Sequence, residues 1–299
     1  MKAWISRHLQ PLLRGLGSLL SLGLLVLLAH EAGWEELLGA FRQIPLGMFA
    51  LGVGLLVVSR FFVVMRWYVL LRGAGMQVSL RETTVMTFTG LFASNFLPST
   101  IGGDVVRLVG IMRLGYDRAV CLASLAADRL IGMAGFVFTL PLGLLPWLQA
   151  GAGTLSMAAV WGRWWERGKR FVLRTFQALS LWLKQPDTLF KALLATWGNM
   201  LFLFLSLYTF THGLGAPMPF WLVAGAWSLT YYVTLIPISI NGFGLQELSA
   251  TFFFTALGGM SVPQALALAV LIRFSFIFAS LPGALFLPEA LASVSRLEQ

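Results

Sequence analysis

Apolar runs alternate along this chain with short knots of arginine, tryptophan and acidic residues, and two of the runs are broken from within. Residues 16–29, 46–65, 119–140, 190–210 and 264–287 approach or reach the ~20 apolar residues that a spanning helix requires, and predict membrane spans. Pro141 and Pro146 predict a turn after the third of these, with a further span returning through residue 160. Residues 83–97 behave differently. They carry Thr83, Thr84, Thr87 and Thr89, and only about fifteen residues separate Arg81 from Pro98, which is short for a crossing. Arg107, Arg113 and Arg118 follow, so positive charge flanks the segment on both sides and predicts a re-entrant hairpin that turns within residues 98–103.

The break itself reads Asn95-Phe96-Leu97-Pro98-Ser99-Thr100-Ile101-Gly102-Gly103-Asp104, with Arg107 one turn later. Proline removes an amide donor and glycine loosens the helix, so freed backbone groups need partners inside the protein or beside a watery cavity. Charges at such a depth mark function more often than packing, and Asp104 and Arg107 are spaced to face each other on a resumed helix. A second copy follows at residues 235–247, where Pro237, Ser239, Ile240 and Gly242 align with Pro98, Thr100, Ile101 and Gly103. Asn241, Gly244 and Glu247 complete it. An apolar segment bearing an arginine succeeds each copy, Arg129 after the first and Arg273 after the second. Paired interruptions in two halves of a membrane protein point to a substrate site near the bilayer midplane, and predict an inverted repeat.

Flanking charges set the remaining expectations. Lys2, Arg7 and Arg14 precede the first run, which reads as an uncleaved span with its amino end in the cytoplasm, and Glu31, Glu35 and Glu36 then mark an acidic outer loop. Arg66, Trp67 and Tyr68 read as an interface anchor, while Arg60 either snorkels or faces the interior. Neighbours on a helix point about 100° apart, so Asp128 and Arg129 are expected to serve different partners. Residues 161–184 repeat arginine at helical spacing among tryptophans and phenylalanines, the pattern of an amphipathic cytoplasmic helix on anionic lipid. Residues 220–236 are nearly long enough to cross alone and could instead form the outer arm of a second hairpin, and the sequence leaves both topologies open.

Composition agrees with this pattern. Hydrophobic residues make up 58% of the 299 and charged residues only 11%, against about a quarter charged in soluble domains. The expected fold is therefore an all-α polytopic membrane protein of six to eight transmembrane helices with two broken re-entrant segments. It forms one integral domain over residues 1–299, with halves 1–160 and 185–290 joined by the basic segment 161–184. The net charge of +9 sits beside apolar segments, which assigns it to topology and lipid headgroups rather than to nucleic acid. Cys121 is the single cysteine and the histidines are scattered at positions 8, 30 and 212, so no metal site is expected. No Walker sequence is present, and Gly242-Phe243-Gly244 lacks the third glycine and preceding strand of a dinucleotide fingerprint, so no cofactor is expected.

On the residues of both breaks, with Asp128-Arg129, Arg273 and Leu281-Pro282-Gly283, the chain resembles the flippase-like transmembrane domain of lysylphosphatidylglycerol synthases and its stand-alone relatives. Asp128 stands where the family often has glutamate, and Gln246 where it often has arginine. The resemblance implies a helical inner-membrane protein that moves or handles an anionic or polyprenyl-linked lipid. Aminoacyl transfer in the larger synthases belongs to a soluble domain that these residues do not include, so no enzyme activity is expected to come with the likeness.

Within that frame Arg107, Arg129 and Arg273 are the expected headgroup contacts. Asp104, Asp128 and Glu247 would orient them or carry a proton, and Asn95 and Asn241 would satisfy the broken backbone. Pro98, Gly102, Gly103, Pro237, Gly242 and Gly244 would shape the tips. Three other readings stand beside this one. The charges form a closed network that only holds the bundle together, the protein is a membrane-embedded transferase with Asp104 or Glu247 as base, or it scaffolds envelope-synthesis proteins without transport.

Overall fold

The computed structural model describes residues 34–96, 102–149, 184–236 and 242–286, with isolated positions Gly23, Val26, Leu27, His30 and Trp182 besides. Among the described residues the regular structure is helical: α1 (Trp34–Gln43), α2 (Leu46–Gly73), α3 (Leu80–Ser94), α4 (Gly102–Met112), α5 (Arg118–Trp147), α6 (Pro186–Gly213), α7 (Phe220–Thr234), α8 (Leu245–Gly258) and α9 (Val262–Ser280). Among the described residues four helices are long and apolar enough to span a bilayer, namely α2, α5, α6 and α9 continued to Phe286. The protein is a polytopic all-α membrane protein.

Helix starts follow local chemistry. Ser79 and Glu82 form a capping box at α3, Ser261 and Gln264 another at α9, and the Asp117 carboxylate accepts the amides of Ala119 and Val120 at α5. Pro186 opens α6, where its missing donor is no loss.

The centre of the bundle is the antiparallel pair α2 and α6. The Ser206 hydroxyl donates to the Gly52 carbonyl at 2.8 Å, Ser59 to the Asn199 side-chain oxygen at 2.7 Å, and the Gln185 amide to the Gly73 carbonyl at 2.9 Å. One register therefore holds over the whole length. Small residues let the helices close: a side chain on Gly52 would collide with the Phe210 ring, and one on Gly198 with Phe62. Where lipid is as apolar as leucine, such close packing and buried hydrogen bonds replace the hydrophobic drive between helices.

Two short-helix pairs lean on this centre. Helices α3 and α4 cross at Gly90 and Gly103, where a Cβ on Gly90 would stand 2.7 Å from the Gly103 carbonyl oxygen. Their open ends come together, since Met76 and Val78 just before α3 share a cluster with Ile111 of α4 and with Trp67, Leu71 and Cys121. This is the end where α2 finishes and α6 begins. Helices α7 and α8 open at the opposite end of α6, where a Cβ on Gly258 would stand 2.9 Å from Met218, a few residues beyond Leu214. The two hairpins thus enter the bundle from opposite ends. At 1.5 Å per residue α7 spans about 22 Å, less than the ~30 Å hydrocarbon core.

Several expectations change. The turn at Pro141 and Pro146 does not form, and α5 continues through both prolines to Trp147. Gly143 there presses on the Gly225 backbone of α7, and the Thr139 and Ser228 hydroxyls meet at 2.7 Å, so neighbouring contacts carry a segment that lacks two amide donors. Glu35 and Glu36 lie in the first turn of α1 rather than in a loop, favourably placed at its positive end. Most of the first expected span and of the amphipathic segment 161–184, the return through residue 160, and Pro98, Pro237 and Asn241 fall outside the described residues.

Candidate functional site

The first broken segment delivers its charges to a chain of five ion-paired side chains. Asp104, in the first turn of α4, accepts from Arg107 at 3.3 Å through one oxygen and from the Arg129 Nε through the other. Asp128 of α5 accepts from the Arg66 Nε at 2.7 Å and from Arg107 at 3.0 Å. Among the described residues the order is Arg129, Asp104, Arg107, Asp128, Arg66. Asp128 and Arg129 do serve different partners, as their angular separation requires.

Environment grades this chain from inside to outside. The Asp128 side chain is 3% exposed, whereas that of Arg129 is 39% exposed. Arg107 also lies 4.0 Å over the Trp67 ring, a cation–π contact that helps hold a buried guanidinium. Gly132 leaves room for Arg66, whose guanidinium nitrogen would stand 3.0 Å from a Cβ at that position.

Arg66 corrects the sequence expectation. It is buried and paired rather than an interface anchor. The signal was present, because Val69, Leu70 and Leu71 continue the apolar run beyond Trp67 and place Arg66 inside the helix. Its second partner, the Thr196 hydroxyl of α6 at 3.5 Å, had no local signal.

The second break builds a smaller cluster. Gly242 and Gly244 have positive φ, 70° and 76°, which glycine adopts without strain, and they turn the chain into α8. Glu247 then accepts the Gly244 amide at 2.8 Å and the Arg273 Nε at 2.5 Å. Arg273 donates to the Gly242 carbonyl at 3.2 Å and lies 4.6 Å over Phe243. Arg273 therefore ties α9 to the turn through charge, hydrogen bond and ring together.

Helix α9 reaches both breaks. Asn95, at the end of α3, donates to the Phe92 carbonyl at 3.2 Å and to the Ser280 hydroxyl at 2.8 Å. Ser280 lies two turns beyond Arg273 on one face of α9. Gly102 and Gly103 are buried at the start of α4. Counting along the helices, the Asp128 cluster lies about 10–15 Å from one end of the bundle and Arg273 about 16 Å from the other. With three guanidinium groups against two carboxylates the first cluster keeps one surplus positive charge, whereas Arg273 and Glu247 balance each other. Among the described residues no three His, Cys, Asp or Glu side chains gather as a metal site.

Comparison with known proteins adds one match. The family described as the lysylphosphatidylglycerol synthase TM region matches residues 15–283. No curated protein matches the chain significantly.

Proposed function

The chain belongs to the lysylphosphatidylglycerol synthase transmembrane family, and we propose that it acts as a flippase-like carrier of an anionic or polyprenyl-linked lipid in the bacterial cytoplasmic membrane. One observation carries the reading: two hairpins opening at opposite ends of the bundle bring two arginine-carboxylate clusters toward its middle. Such a pair of broken segments offers the headgroup a polar path while the acyl chains stay in lipid. In this reading Arg129, Arg107 and Arg273 contact the phosphate, and Asp104, Asp128 and Glu247 hold them in position between visits. The first hairpin is re-entrant from the cytoplasm, because Arg72, Arg81, Arg113, Arg118 and Lys184 crowd the end where it opens. The second enters from outside.

Purified protein in liposomes tests this directly. Movement of a labelled lipid headgroup between leaflets, without chemical change, is the expected result. A new lipid product would replace the proposal with a membrane-embedded transferase, and neither event would leave a scaffold for other envelope proteins.

A further inference from the structure

Arg60 sits at the midpoint of α2, with about 20 Å of helix on either side at 1.5 Å per residue. Its guanidinium carbon lies 4.7 Å over the Phe276 ring of α9. Arg66, Arg107, Arg129 and Arg273 each meet a carboxylate, but among the described residues Arg60 meets none and makes no hydrogen bond. A guanidinium at bilayer depth is among the most expensive groups a span can hold, and an aromatic face offsets only part of that. Its stem is too short to lift the charge to either interface.

Other buried polar groups also lack a partner among the described residues. The hydroxyls of Thr87, Thr89 and Ser275 are buried and make no hydrogen bond with any described residue. Elsewhere Thr83, Thr84, Thr196 and Thr209 bond to the carbonyl four residues back. Ser275 adjoins Phe276, and Phe88, between the two threonines, meets the ring of Phe61 next to Arg60 at 5.6 Å. Helices α3 and α9, which both pack near Arg60 through Phe88 and Phe276, thus each hold buried hydroxyls without a partner among the described residues.

We propose that Arg60 is the midplane contact for the lipid phosphate, taking it in transit between the Arg129 end and the Arg273 end. The planar guanidinium fork suits two phosphate oxygens. This rests on the lipid-handling reading above and adds a residue that neither broken segment contains.

The test compares wild-type protein with Arg60→Gln and Arg60→Lys in nanodiscs of phosphatidylcholine with and without phosphatidylglycerol. Phosphatidylglycerol should raise the Tm of the wild type and of Arg60→Lys. Arg60→Gln should lose most of that rise while being at least as stable as wild type in phosphatidylcholine alone, because it removes an uncompensated charge. In liposomes Arg60→Gln should move phosphatidylglycerol about ten-fold more slowly or worse, as loss of a single barrier contact does. An Arg60→Gln protein that keeps the full rise, or moves lipid at the wild-type rate, overturns the proposal. If the wild type moves no lipid but its Tm rise depends on Arg60, the contact stands and the transport reading falls.

Discussion

Asn95 and Ser280, far apart in sequence, meet at 2.8 Å and fasten the inner end of the first hairpin to the helix that also carries Arg273. Both breaks are thereby joined to α9. Asn95→Ala and Ser280→Ala should each lower stability by ~0.5–1.5 kcal/mol, the usual worth of one hydrogen bond. The double variant should lose less than the sum, and a double-mutant cycle on unfolding in detergent measures that coupling. Strict additivity would show that the contact carries no energy.

The graded exposure of the first cluster separates structure from function. Asp128→Asn leaves Arg66 and Arg107 without their shared buried carboxylate, and should cost about 3–5 kcal/mol. Arg129→Gln acts at the exposed end, where the stability change should stay within ~1 kcal/mol. Lipid movement should nevertheless stop in Arg129→Gln. Glu247→Gln is expected to stop it too, by freeing Arg273 from its carboxylate. Thermal unfolding beside a translocation assay checks both. Equal loss of folding and activity in Arg129→Gln would favour a purely structural network.

Glycine positions give a purely steric prediction. Gly90→Ala drives a methyl group into the Gly103 carbonyl and the Arg107 side chain, with backbone on one side that cannot yield. Overpacking of this kind costs ~1–3 kcal/mol and should splay α3 from α4, moving Arg107 off Asp128. Gly54→Ala in α2 is the control, since nothing lies within 4 Å of the added carbon. That change should stabilise by ~0.5–1 kcal/mol through helix propensity alone. Unfolding midpoints that move in the same direction for both variants would contradict the close α3–α4 crossing.

What the sequence made legible was local. Breaks at Asn95 to Gly103 and around Gly242 stand out because proline, glycine and charge rarely share an apolar run, and the spacing of Asp104 and Arg107 already implied their contact. Long-range consequences were hidden. Nothing near Ser59 announces Asn199, and nothing near Arg66 announces Asp128, because those pairings depend on the antiparallel register of α2 with α6 and on the crossing of α5. Pro141 and Pro146 misled for the opposite reason. Their local rule is correct, but Gly143 against Gly225 and the hydroxyl pair of Thr139 and Ser228 hold the helix through them.

Sidedness is the most demanding consequence of the two hairpins. If the first is re-entrant, the residues that flank it face the same compartment, although two helices and a break lie between them. In a Cys121→Ala background, single cysteines at Gln77 and Leu114, both exposed, should react with a membrane-impermeant maleimide only when the cytoplasmic face is open. Cysteines at Pro217 and Val262, which flank the second hairpin and are also exposed, should react in intact cells. Cys121 is buried, so removing it should leave the background signal unchanged. Opposite labelling of Gln77 and Leu114 would mean that α3 or α4 crosses the bilayer, and the first cluster would then lie on a through path rather than at the tip of a hairpin.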